Sequence, residues 1–391
     1  MGINTTSASG GGPLTASQIT SALLGAAVGD AFGVPFEFLN ADQVAQHPLD
    51  AMYAASDVDS ANSRPSRAIP AGAWSDDTSM AVATMESIIS HQGRLDLTDV
   101  MHQFLAWWEE RKYCSIERPF GLGMTVMMAL GRFQGGTPAL ESGATRVRDN
   151  GNGALMRIFP IPLHLAAGGH ASAGGYEASC GHTATGEHVP TSVRTEVTAS
   201  NPSREQIHSH EPPHSREHRW NVVSQASQIT HGHAISQLSC IIFCEFLWGL
   251  LAGLDVTRAY QHAVALPYSD WRPDDPQWQE ALAAHSKIFS PEFVSLTPAD
   301  FTASAYVVDT LEIALYSLLH TTLYPEAIRT AVRFGGDTDT YAAIVGAAAG
   351  IAYGTESIPR KWLDAVKRRP YLEDLAKRFA AAEGFGTSTF V

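Results

Sequence analysis

Trp74-Ser75-Asp76-Asp77-Thr78, continued by SMAVATMESIIS to Ser90, opens a stretch whose apolar residues recur every three or four positions. That period is the mark of an amphipathic helix. The same spacing predicts helices over 97–111, 123–133, 222–251, 303–320, 325–332, 340–350 and 358–382. Thr15 and Gln18 stand at capping-box spacing and open a helix through residue 27 that is rich in Ala and Gly on one side. Alternating strand patterns are scarce. The expected fold is all-α.

The chain has 391 residues and a 45% hydrophobic share, enough for one large core. Residues 1–14 read as a disordered tail, and 15–391 as a single domain. Between about 167 and 219 the composition turns to Ser, Thr, Gly, Glu, Pro and His, which predicts a flexible insertion. Nine of the sixteen histidines fall between His170 and His233, and the series His208, His210, His214 and His218 reads as solvated low-complexity sequence. Cys114, Cys180, Cys240 and Cys244 form no CxxC pair and fit a reducing, cytoplasmic setting.

Forty acidic residues face 26 basic ones, a net charge of −14. Such a balance argues against a nucleic-acid groove or an anionic membrane surface as partner. An anionic small molecule would need metal ions or helix N-terminal amides instead. Residues 1–12 lack the apolar run of a signal peptide; Met1-Gly2-Ile3-Asn4-Thr5-Thr6 fits the loose myristoylation pattern, but no polybasic stretch follows. The most apolar segment, 235–254, contains Gln237 and Glu245 and reads as a buried helix, not a membrane span. A monomer is expected.

Two clusters carry the chemistry. A helix start needs one acceptor as its cap, yet Ser75, Asp76, Asp77 and Thr78 supply two adjacent carboxylates flanked by hydroxyls. Gly335-Gly336-Asp337-Thr338-Asp339-Thr340 repeats the arrangement before another apolar helix. Its glycines permit a sharp turn, and Asp337 and Asp339 can face one point with Thr340 beside them. Four such carboxylates brought together would repel unless hard divalent cations, Mg2+ or Mn2+, lay between them.

Three weaker features join these. Asp149-Asn150-Gly151-Asn152-Gly153 lets backbone approach a ligand, and Phe120-Gly121-Leu122-Gly123 offers similar access for phosphate or ribose. Glu37, in the apolar loop Val34-Pro35-Phe36-Glu37-Phe38, is a candidate for proton transfer. Asp30 reads as a structural brace at the end of the first helix. His231, in Ile229-Thr230-His231-Gly232-His233, is the best site candidate among the histidines.

In order along the chain, GDAFGVPFEF, WSDDTSMA, FGLG, NGNGALMRI, ITHGH, GGDTDTYAAIVGAAAG and the segment 358–363 resemble the ADP-ribosylglycohydrolase family, which includes the dinitrogenase reductase-activating glycohydrolases and ADP-ribosyl-acceptor hydrolases. The resemblance implies a compact, orthogonally packed all-α domain with a dinuclear metal site at an ADP-ribose cleft. It implies Ser75, Asp76, Asp77, Asp337, Asp339 and Thr340 as ligands of two divalent cations, with Ser75 where the family often has threonine. Glu37, Asp76 and Asp77 become the catalytic carboxylates. Gly121, Gly123, Asn150, Gly151, Asn152 and Gly153 would hold diphosphate and ribose, with His231 near the adenosine side. The expected activity is cleavage of the glycosidic bond between ADP-ribose and a protein side chain, arginine ahead of serine. Alternatives are hydrolysis of O-acetyl-ADP-ribose or similar small molecules, a non-catalytic crystallin-like role on the same scaffold, and a helical phosphohydrolase of nucleotides.

Overall fold

The first helix, α1 (Ala16–Gly33), begins at the expected capping box: Gln18 N donates to Thr15 Oγ1 at 3.2 Å and Thr15 N donates to Gln18 Oε1 at 2.9 Å. It runs past residue 27 because its last turns lie against another backbone. The computed structural model describes residues 14–58, 69–168, 170–171 and 214–385. The tail through residue 13 and most of the expected insertion, with Cys180, His208 and His210, lie outside the described residues.

Helices α2 (Asp76–Ser90), α3 (Leu97–Glu110), α4 (Met124–Gln134) and the short α5 (Pro160–Ala166) follow. Next come α6 (Arg216–Gln228), α7 (Ala234–Leu251), α8 (Val256–Val264) and α9 (Pro276–Ala284). The chain ends with α10 (Val307–Leu319), α11 (Tyr324–Arg333), α12 (Thr338–Tyr353), α13 (Arg360–Ala365) and α14 (Arg369–Ala382). Among the described residues the strands are β1 (Arg94–Leu95) and β2 (His170–Ala171), paired in parallel. The fold is all-α, as expected.

Three expectations about its parts need correcting. Residues 222–251 form two helices, not one, because the chain turns at Ile229–His233; Gly232 N donates to Ala144 O at 2.7 Å there, binding the turn to a distant loop. Residues 358–382 also divide, since Arg368 takes a left-handed φ of 55° two residues before Pro370. At the other end of the insertion, Arg216–Arg219 already belong to α6. Buried Glu245 holds them, accepting from Arg219 Nη2 at 3.1 Å and Trp220 Nε1 at 2.7 Å.

At the centre, α1 packs antiparallel on α12 with backbone touching backbone. A Cβ on Gly25 would lie 2.2 Å from Gly346 O, one on Gly29 1.9 Å from Ala342 O, and one on Gly33 2.3 Å from Thr338 O. Only glycine at this stripe allows the approach. Two helices, Ala16–Phe36 with its short extension and Ala234–Leu251, are long and apolar enough to cross a membrane, but both are buried within the fold. Because α1 and α12 are antiparallel, the end of α1 meets the start of α12, and there the two acidic clusters converge.

Candidate active site

Asp30, near the end of α1, is fully buried. Its carboxylate accepts from Ser75 N at 2.9 Å, Thr78 N at 3.0 Å and Thr78 Oγ1 at 2.6 Å. It braces the start of α2, not its own helix end. Burial pushes its pKa up to about 6 even though these hydrogen bonds pull it down.

Ser75 is the N-cap of α2. Its hydroxyl accepts from Asp77 N at 3.3 Å and donates to Asp77 Oδ2 at 2.9 Å. Asp77 Oδ1 is buried without a hydrogen-bond partner among the described residues. Gly121, at φ +94°, lies over Asp76: a Cβ there would stand 2.0 Å from Asp76 Oδ1.

The second cluster is tied to the loop after α1. Phe38 N donates to Gly336 O and Gly336 N to Leu39 O, each at 2.7 Å. Gly335 and Gly336 take φ of 70° and 74°, the turn anticipated from the glycine pair. Ligand oxygens of Glu37, Asp337 and Asp339 consequently lie within 4.8 Å of one another. Asn152 reaches the same group, donating to Asp337 Oδ2 at 2.7 Å and Thr310 Oγ1 at 3.0 Å.

One cleft of about 250 Å³ joins these parts. Of the residues singled out in the sequence, Glu37, Asp76, Asp77, Gly121, Gly123, Gly151, Asn152, Gly153, His231, Asp337, Asp339 and Thr340 line it. Ser75 and Asn150 do not reach its wall. Asn150 is spent on the scaffold, donating to Val147 O at 2.9 Å and accepting from Ser236 Oγ at 2.8 Å.

Electrostatically the cleft is one-sided, for no Lys or Arg among the described residues lines it. Burial first, then neighbouring carboxylates, push Asp76, Asp77 and Asp339 well above the usual carboxylate range; Asp77 is among the charges acting on Asp339. Clustered carboxylates with an unpartnered buried oxygen fit a hard divalent cation, which would replace protons as the neutralising charge. His231, by contrast, is pushed down to about 3 by burial and by Arg157, so its ring is neutral.

The model of the family described as ADP-ribosylglycohydrolase matches residues 12–189 and 207–387. The chain belongs to the ADP-ribosylglycohydrolase family. Within it, the chain is similar to Tri1, an ADP-ribosylarginine hydrolase of Serratia proteamaculans, at 27% identity over 91% of this chain and 77% of the relative. It is likewise similar to an ADP-ribosyl-dinitrogen reductase glycohydrolase of Rhodospirillum rubrum, at 26% identity over 90% of this chain and 91% of the relative. A solved structure titled as an ADP-ribosylglycohydrolase-related protein complex aligns with TM-score 0.62 and 23% identity, covering 94% of this chain and 98% of that one, and supports the fold.

For two residues named in the sequence analysis, local spacing does not give the structural role. Asp30 offered only a local signal of helix termination, and its partners are 45 and 48 residues away. Asn152 reads in sequence as a substrate contact, whereas its amide also reaches Asp337 across 185 residues. Neither contact leaves a trace in local spacing.

Proposed function

We propose that this protein hydrolyses the glycosidic bond joining ADP-ribose to a protein side chain, with two divalent cations, Mg2+ or Mn2+, held between the aspartate clusters. The observation that carries this reading is the meeting of Glu37, Asp76, Asp77, Asp337 and Asp339 on a cleft that no described Lys or Arg lines. Arginine is the favoured acceptor; the Tri1 relative, whose name specifies ADP-ribosylarginine, supports that preference.

Cations bound there supply Lewis acidity and a template for ribose hydroxyls. Asp76, Asp77, Asp337 and Asp339 hold them, with Thr340 at the same wall and Ser75 fixing the Asp77 carboxylate from behind. Glu37 accepts the proton of the attacking water. Positive charge developing at the anomeric carbon is stabilised by the same carboxylates. Asn152 keeps Asp337 from rotating, and the Gly121 and Gly151–Gly153 backbones admit the diphosphate closely.

Peptides carrying ADP-ribose on arginine or on serine, incubated with the protein and followed by mass spectrometry, test the proposal. Expected products are intact ADP-ribose and unmodified peptide, faster from arginine and abolished by chelator. Release of AMP or phosphate would instead make the protein a phosphohydrolase.

A further inference from the structure

Behind the cleft wall lies a buried cation that the proposed chemistry does not use. Arg157 is 2% exposed, and no described carboxylate is among the groups acting on it. Its Nη2 donates to Ala226 O at 3.1 Å and to Thr230 Oγ1 at 2.7 Å, its guanidinium lies 4.9 Å from the Phe104 ring centroid, and its Nε has no partner among the described residues. Burying an arginine without a carboxylate is expensive, which asks for a reason.

The reason lies one residue further on. Thr230 Oγ1 is 3.0 Å from His231 Nδ1, and both residues are at most 1% exposed. An arginine can only donate, so it occupies a lone pair of Thr230 Oγ1. The single hydroxyl hydrogen then has one described acceptor in reach, His231 Nδ1. A neutral imidazole that accepts at Nδ1 carries its proton on Nε2. That atom makes no hydrogen bond with a described residue and sits beside the cleft-lining glycines; a Cβ on Gly151 would be 3.7 Å from it and one on Gly153 3.6 Å.

We propose that Arg157 and Thr230 are positioning residues that fix His231 as an Nε2–H donor aimed at an anionic oxygen of the ligand, with the guanidinium charge behind it. The anion is the diphosphate of ADP-ribose, a point that rests on the function proposed above; the tautomer does not. A fixed donor backed by a buried cation favours a negative ligand without placing a basic side chain beside the metal-binding carboxylates.

The test uses the full chain with 15N-labelled histidine. Long-range 1H–15N spectra assign the His231 tautomer, identified by the signals lost in His231→Gln. Wild type should show Nε2 protonated and Nδ1 accepting. Thr230→Val should release the ring into a mixture of tautomers and weaken ADP-ribose binding about tenfold, the usual scale for a hydrogen bond to a charged group. With ADP-ribosylated peptide, KM should rise by a similar factor and kcat change much less, since the contact is remote from the bond that breaks. Thr230→Ser should restore both tautomer and affinity. A wild-type ring protonated on Nδ1 overturns the relay, even if Thr230→Val fails to fold. So does a folded Thr230→Val protein with unaltered tautomer and affinity. Failure of wild type to bind ADP-ribose would remove the diphosphate as the ligand and count against the proposed function, leaving the spectra to decide the relay.

Discussion

Thr78 donates its hydroxyl hydrogen to Asp30 at 2.6 Å, joining the first turn of α2 to the end of α1. Two backbone amides, of Ser75 and Thr78, reach the same carboxylate. Asp30→Ala would leave these donors buried without an acceptor. We expect a stability loss of about 2–4 kcal/mol in chelator-treated protein, measured by denaturant unfolding. Unchanged stability would mean that water replaces the carboxylate and that Asp30 does not brace the site.

Asp339 should behave in the opposite way. It is crowded by burial, Glu37, Asp337 and Asp77, so Asp339→Asn removes repulsion. Without metal the variant should be at least as stable as wild type. Its activity should fall by about 3–5 kcal/mol of transition-state stabilisation, read as kcat/KM. Asp76→Asn should follow the same pattern. Variants that stay active and melt earlier would make these aspartates structural caps.

The response to pH has a definite sign. Folding raises the pKa of Asp30 to about 6 and lifts Asp76, Asp77 and Asp339 well above the usual carboxylate range. A raised carboxyl binds its proton more tightly in the folded chain, so the associated stability is full below the unfolded value, about 4, and is lost as pH rises through the folded value. Metal-free protein should thus lose melting temperature between about pH 4 and pH 6 and beyond. Divalent cations compete with those protons, so the rise in Tm that Mg2+ or Mn2+ brings should be larger at pH 8 than at pH 5. Scanning fluorimetry with and without metal across that range checks it; a metal shift independent of pH would contradict it.

The helix contact that positions the clusters predicts its own failure. A Cβ at Gly29 would lie 1.9 Å from Ala342 O, so Gly29→Ala must force α1 and α12 apart. Overpacking of this kind costs about 1–3 kcal/mol or more, and it should lower activity by displacing the start of α12. Gly131→Ala is the control: the site has nothing within 4 Å and lies inside α4, so it should hold or gain up to about 1 kcal/mol. Tm and kcat/KM of the pair decide.

Much of this molecule was legible in its sequence because the signals are local. The Thr15–Gln18 capping box, the two helices expected from Thr78 and Thr340 (found to start two residues earlier, at Asp76 and Thr338), and the glycine turn at Gly335–Gly336 each follow from residues within one or two turns of each other. What was not legible depends on distant partners. The break at Ile229–His233 is set by a loop near Ala144, and helices α8 and α9 lie outside the expected helical ranges. Asn150 and Asn152 look equivalent in sequence, yet one faces the scaffold and the other the carboxylates. Periodicity marks which face of an element is apolar; it does not say which element that face will meet.

The proposed function requires Asp77 and Asp339 to serve the same metal site although far apart in the chain. Crystals grown with Mn2+, with anomalous difference maps recorded at a wavelength where manganese scatters strongly, test that directly. Peaks between the α2 and α12 aspartates, within bonding distance of carboxylates from both, are the expected result. Manganese bound to one cluster alone, or found elsewhere while the cleft stays empty, would contradict it.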